Sequence, residues 1–285
     1  MIPSLPRPAW LRAATAVYLF AFMAFLFLPL IIVAVFSFND APYPAPPWRG
    51  FTLDWFLGNL RLGRTGLFAD SELLGSIWTS CTVALWVTLL SVLLGTANAF
   101  LIERGRFPGK QSLSVLMLAP LVIPGVILGI SILAFASRIA EFAGDALGLE
   151  LDFLRPGLPL VVLGQFSYIA TIATLTISAR LRRFDRTLEE AALNLGASKA
   201  AVFRTIVLPY LRPALLGSAA ISFLMSFADF NTTLMLVGTD SPLTVMMYGR
   251  MREGATPVLN AVSLFLMVAS AILALAFMRR RPQAN

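Results

Sequence analysis

Six stretches of this sequence run without a formal charge for long enough to cross about 30 Å of hydrocarbon, which takes roughly 20 residues of helix. They are Ala13 to Phe38, Leu73 to Ile102, Gln111 to Ser137, Pro156 to Ala179, Pro213 to about Val237, and Ala255 to Met278. Only the fifth is interrupted, by Asp229. A backbone inside lipid has no water to bond with, so each run must satisfy its own N–H and C=O groups as a helix. Composition agrees: 58% of the 285 residues are hydrophobic, 13% are charged, and mean hydropathy is +0.80. The first run is too long for a signal-peptide core and lacks a small-residue cleavage pattern, so it reads as a retained span. These observations predict an all-α polytopic membrane protein with six transmembrane helices and exclude a soluble globular domain.

The net charge of +7 invites a nucleic-acid reading, but the placement of the basic residues argues against one. With the amino terminus cytoplasmic, the inner segments hold 15 of the Lys and Arg residues and the outer segments 7. That bias places both termini inside and the segment from Arg180 to Arg212 in the cytoplasm. The expected layout is a cytoplasmic tail at 1–12, a six-span domain at 13–278 with an outer loop at 39–72 and an inner loop at 180–212, and a second cytoplasmic tail at 279–285. Arg279, Arg280 and Arg281 close the chain as an anchor on the inner face. Cys81 is the sole cysteine and histidine is absent, so neither an intrachain disulfide nor a Cys/His metal site is expected. Cys81 reads as a small packing residue.

The inner loop carries the most specific pattern in the chain. Thr187 followed by Glu190 has the spacing of a capping box, predicting a helix from there to about Leu195. Gly196 permits a chain reversal. A second helix is predicted from Ser198, with Val202, Phe203, Ile206 and Val207 along one side and with Pro209 and Pro213 limiting its length. The residues Glu190-Ala191-Ala192, then Gly196, then Ile206, Leu208 and Pro209 make up the signature E-A-A, G, I-x-L-P. On that signature the sequence resembles the inner-membrane permease subunits of ABC importers, with no departure at any of these positions. The resemblance implies that the loop between helices 4 and 5 is a two-helix coupling element that docks in a groove of the ATP-hydrolysing subunit. Glu190 would pair there with a basic residue, and Phe203 and Ile206 would fill the apolar groove. It also implies the partners: an ATP-binding subunit dimer, a second permease subunit, an extracytoplasmic solute-binding protein and the bacterial inner membrane. ATP would be bound by the partner, with no cofactor in this chain.

Elsewhere the sequence points to a transport path. The outer loop opens on Pro42, Pro44, Pro46 and Pro47 and continues through Trp48, Gly50, Phe51, Thr52, Trp55 and Phe56. Its tryptophans are candidates for an aromatic belt or, in the sharper reading, for docking of the binding protein through Trp48 and Trp55. This stretch is similar to the same loop in the spermidine/putrescine branch of the permease family. In the second span Ser91 and Gly95 allow close helix approach. Gly109-Lys110 lacks the flanking residues of a phosphate loop. Pro120, Pro124, Gly125 and Gly129 predict a broken third helix. Gln165 and Tyr168 are large polar groups in the fourth span that need partners, whereas its threonines can bond back to their own helix.

Asp229 is the one acid placed within a span, where a carboxylate costs about 2.5–3.5 kcal/mol on insertion scales and therefore marks a cavity or a partner. Asn231 and Thr232 stand beside it. The alternative is an early helix end that leaves Asp229 in outer water. Where the polyamine branch often has paired acids this chain has Ala228 beside Asp229, and it has Gly125 where an acid may follow the proline. The expected function is half of a translocation pathway for a small, polyamine-like organic solute. Other small solutes remain open: amino-acid-like, opine, phosphonate, thiamine or an iron complex. A secondary transporter is the less favoured class, since a single aspartate makes a thin ion relay. No nucleotide-hydrolysis or protease signature occurs, so the chain is not expected to be an enzyme.

Overall fold

The computed structural model describes residues 8–254 and 256–279. The tail before Pro8, including Pro3 and Pro6, and the arginines at 280 and 281 fall outside them. Every named element is helical. In chain order they are α1 (Ala9–Phe36), α2 (Asp54–Leu57), α3 (Ser71–Arg104), α4 (Lys110–Leu116), α5 (Ala119–Val122), α6 (Gly125–Leu147) and α7 (Leu158–Leu181). Then follow α8 (Thr187–Asn194), α9 (Lys199–Val202), α10 (Leu208–Ala228), α11 (Asn231–Leu236), α12 (Leu243–Glu253) and α13 (Val258–Arg279). Among the described residues, five continuous helices are long and apolar enough to cross a membrane: α1, α3, α6, α7 and the run Lys199–Ala228.

The chain forms two compact units. The first takes in the described residues up to Ser71 and from Gly249 onward, and in it α1 packs along α13. α1 has no buried residue, as expected of a helix whose whole circumference is apolar and whose solvent is lipid. After α1 the outer loop is locked by polar contacts. Asn39 is 1% exposed; its amide donates to the Pro47 carbonyl at 3.1 Å and its side-chain oxygen accepts from the Arg49 N–H at 2.8 Å. Arg64 pairs with Asp40 at 2.6 Å and Asp54 at 3.1 Å while lying over the Trp55 ring at 4.7 Å. Arg250 forks onto Asp70 at 2.5 and 3.1 Å in the same unit.

The second unit, Glu72–Tyr248, is organised around α7, which has twelve buried residues. α7 packs against α10 and α11, and α11 packs against α6. Val83, Val87, Ala136, Val161, Ile169 and Leu236 form the core where α3, α6, α7 and α11 meet. Close approach depends on missing side chains. A Cβ on Gly95 would sit 2.8 Å from the Ala173 side chain and 2.9 Å from the Thr174 backbone nitrogen, so α3 and α7 pack backbone to backbone there.

Several boundaries differ from the sequence expectation. The third apolar run is broken, as its prolines imply, with Pro124 ending one segment and α6 starting at Gly125. α6 then runs to Leu147 and so carries Arg138, Glu141 and Asp145 on its last turns, residues expected in a loop. Pro209 and Pro213 do not shorten the helix after Ser198. A π-helical turn, Phe203–Val207, widens the spiral just before Pro209, and the helix continues to Ala228 with Pro213 inside it. A π turn relieves the clash and the missing donor that proline brings to an α-helix.

The capping box is also absent. Thr187 gives both its N–H and its hydroxyl to Asp185, at 3.0 and 2.8 Å, and no side chain caps α8. Those two bonds hold the Asp185 carboxyl below the usual carboxylate range. The contribution is therefore present above the unfolded-state pKa and is lost as pH falls through the folded one. Asp185→Ala is expected to speed amide exchange at Thr187 to Glu190 while leaving exchange in α7 unchanged.

Candidate functional site

α10 stops at Ala228 because Asp229 adopts an extended conformation, φ −69° and ψ 125°, and α11 restarts at Asn231. A restart leaves free N–H groups at the first turn of α11. The Asp229 side chain takes one of them: its Oδ2 accepts from the Thr233 N–H at 2.9 Å and from the Thr233 hydroxyl at 2.8 Å. The Tyr168 hydroxyl of α7 donates to Oδ1 at 3.1 Å, and the Thr244 hydroxyl of α12 donates to the Asp229 carbonyl at 2.9 Å. Gln165, one turn before Tyr168 and 1% exposed, donates to the Thr233 hydroxyl oxygen at 2.8 Å and accepts from the Ser226 hydroxyl. α7, α10, α11 and α12 thus converge on one residue, α7 and α11 bonding to its carboxylate and α12 to its backbone carbonyl.

The electrostatics follow from the donor types. All three groups that bond to the carboxylate oxygens are neutral, and among the described residues no Lys or Arg pairs with Asp229. Neutral donors orient a carboxylate without supplying an opposite charge. The side chain is only partly buried, and the ring of Phe230, the next residue, meets that of Tyr248 at 55° with centroids 5.0 Å apart. A carboxylate without a basic partner is suited to a cation.

The expected residues separate into three groups. Gln165, Tyr168 and Asp229 are brought together. Asn231, two residues on, is exposed, while Thr232 is 1% exposed and wedged toward Gly125 and Gly164, where it packs rather than faces open space. Ser226 and Thr233, from the polar stretch around Asp229, complete the network together with Thr244, to which nothing in the sequence pointed. Ser218, Ser222 and Ser226 recur every fourth residue on α10, a signal of a polar seam facing α7. The helix does end at Asp229, and the partly buried acid bonds there to side chains of α7, α11 and α12.

The second site is the α8–α9 corner. Gly196 has φ +86°, its N–H bonds to the Leu193 carbonyl at 3.0 Å and the Ala197 N–H to the Ala192 carbonyl at 3.1 Å, the paired bonds of a Schellman stop. Ser198 then starts α9 by accepting from the Ala201 N–H at 3.3 Å. The corner turns Glu190 and Ala191 outward and leaves Leu195 89% exposed, with Leu188 and Leu193 exposed beside it. Of the second helix, Val202 and Val207 are buried in the protein's own core and Ile206 packs against that core with Leu181, Phe184 and Leu211. Phe203, 41% exposed, also touches Phe100, with centroids 5.9 Å apart. Leu208 and Pro209 are exposed. Leu188, Leu193 and Leu195 of the first helix and Phe203 and Leu208 of the second are therefore the exposed apolar side chains here, whereas Ile206 is turned partly into the protein's own core.

Trp55 requires a correction as well. It is 6% exposed, donates its indole N–H to the Asn39 carbonyl at 2.8 Å and lies under Arg64, so it holds the outer loop together instead of meeting a partner. Trp48 is 50% exposed and Tyr43 68%.

Comparison with known proteins adds four observations. The family model described as binding-protein-dependent transport system inner membrane component matches residues 88–280. The putrescine transport system permease protein PotI of Escherichia coli (strain K12) is 29% identical over 250 residues, covering 87% of this chain and 83% of that protein. The spermidine/putrescine transport system permease protein PotC of Haemophilus influenzae is 28% identical over 254 residues, 89% of this chain and 90% of that one. Among solved structures, a chain of a bacterial alginate ABC transporter in complex with alginate pentasaccharide-bound periplasmic protein superposes with a TM-score of 0.75 at 19% identity. It covers 95% of this chain and 94% of that chain.

Proposed function

The chain belongs to the inner-membrane components of binding-protein-dependent transport systems, and on that footing we propose that it forms half of a translocation pathway for a small organic polycation. It is an ABC importer permease, a transport component and not itself a catalyst. The observation that carries the substrate class is the Asp229 carboxylate, held by Tyr168 and Thr233 through neutral bonds and left without a basic partner. The names of PotI and PotC, putrescine and spermidine/putrescine permeases, support the same class. A second permease subunit, a paralogue able to contribute further acids, supplies the other half.

An ATP-binding subunit dimer engages the α8–α9 corner through Leu188, Leu193 and Leu195, with Glu190 at the rim; Trp48 and Tyr43 contribute to reception of a solute-binding protein. Both termini and this corner lie on the cytoplasmic face, and α13 serves as the sixth span. The test is uptake into proteoliposomes by the assembled complex, with putrescine, spermidine, a monocation, a zwitterion and sulfate in competition. Competition by the diamine and triamine alone is the expected result. Equal competition by the zwitterion or the anion overturns the polycation assignment while leaving the permease role intact.

A further inference from the structure

α7 and α10 are joined to the α8–α9 corner by the chain itself, whereas α3 reaches it only through side chains. α3 ends in Glu103-Arg104, and both residues are engaged. Arg104 Nη1 donates to Glu189 Oε2 at 2.9 Å and its Nη2 to the other carboxylate oxygen, a fork between residues 85 positions apart. The guanidinium lies over the Phe100 ring at 4.9 Å and 5.9 Å from that of Phe184. With Arg104 27% and Glu189 19% exposed, the pair is shielded enough to keep one geometry. Beside it Arg182 donates to both Glu103 oxygens, at 2.9 and 3.2 Å, and Arg186 to the Glu103 carbonyl at 3.0 Å, one of the free carbonyls at the end of α3. A planar fork on a carboxylate fixes direction as well as distance.

We propose that Arg104 is a positioning residue for the coupling corner: its fork on Glu189 clamps α8 to the end of α3, so that α3 travels with α8 when a partner pulls on it. The neighbouring acids then divide the work. Glu189 turns inward to the clamp, and Glu190, exposed, turns outward. Because the fork sets the rotation of α8 about its axis, it also sets which way Leu188, Leu193 and Leu195 point. The inference rests on the reading of this corner as the docking element for the ATP-binding subunit.

The test uses the full complex in proteoliposomes, carrying Arg104→Glu, Glu189→Arg or both changes. Each single reversal is expected to lower solute moved per ATP hydrolysed by about ten-fold, and the double reversal to recover to within about three-fold of the parent, because the coupling belongs to the pair. Singles with unchanged coupling, or a double no better than the singles, overturn the proposal. Should a single reversal fail to assemble, Arg104→Cys with Glu189→Cys in a Cys81→Ser background replaces it. Joining those thiols with a bifunctional maleimide is expected to leave uptake intact, since the two elements move as one, and uptake abolished by the bridge refutes the clamp. Leu195→Asp, outside the clamp, reports on docking separately: an ATP-binding subunit that still co-purifies with it defeats the docking reading, whereas the reversal pair judges the clamp alone.

Discussion

Asp229→Asn is expected to reduce polyamine uptake by at least about 30-fold, the effect of removing one member of a desolvated charge pair at roughly 2–5 kcal/mol. The substitution is chosen because it spares the scaffold. With its carbonyl oxygen in the place of Oδ2, asparagine still accepts from the Thr233 N–H, bonded to Asp229 at 2.9 Å, and its amide nitrogen in the place of Oδ1 donates to the Tyr168 hydroxyl oxygen, now 3.1 Å from Asp229. The helix break and the four-helix convergence are therefore retained while the charge is lost. The loss should appear in the concentration dependence of uptake for dications and trications, with the amount of assembled complex unchanged. Undiminished uptake removes Asp229 from the solute path. Tyr168→Phe offers a graded comparison: it leaves the charge in place and removes one orienting bond worth about 1 kcal/mol, so its effect should be the smaller of the two.

The second large effect is expected at the coupling corner. Leu195 is 89% exposed in the isolated chain, so replacing it with aspartate removes almost no internal packing. If it anchors the corner in the groove of an ATP-binding subunit, burying a carboxylate there instead of a leucine should weaken that association by about 2–4 kcal/mol, on the order of 30- to 1000-fold. The measurement is retention of the ATP-binding subunit on the purified membrane complex, together with solute-stimulated ATP turnover. Normal insertion of the permease with loss of both is the expected pattern; full retention rules the ridge out as a docking surface. Glu190→Lys, at the rim of the same surface, should weaken association less and in a salt-dependent way, as rim charges do.

The overturned expectations share a cause. The capping box at Thr187 and Glu190 obeys the right spacing, but a closer acceptor, Asp185, takes the Thr187 donors. Pro209 reads as a helix stop only for α geometry; the π turn before it makes proline compatible with a continuing helix. Trp55 has the sequence signature of a surface aromatic and is buried by Arg64, whose position depends on Asp40 and Asp54. In each case a local rule met a competitor whose presence depends on the path of the chain.

The sequence by itself determined that this protein is helical and lies within a membrane, that the segment from Glu190 to Pro209 is its signature element, and that Asp229 stands out in its apolar setting. Those conclusions rest on one-dimensional quantities: the length of an uncharged run against the thickness of hydrocarbon, and the spacing of a motif. Only the tertiary structure decided that Asp229 is joined to Tyr168 and, through Thr233, to Gln165 and Ser226, that Leu195 rather than Ile206 faces outward, and that Arg104 holds Glu189. Backbone hydrogen bonding in lipid is satisfied within each helix, so it specifies elements without specifying neighbours. Which side chains meet across 61 to 85 positions is fixed by how closely the helices pack and where they break, and small residues such as Gly95 set that distance only once a partner helix is in place.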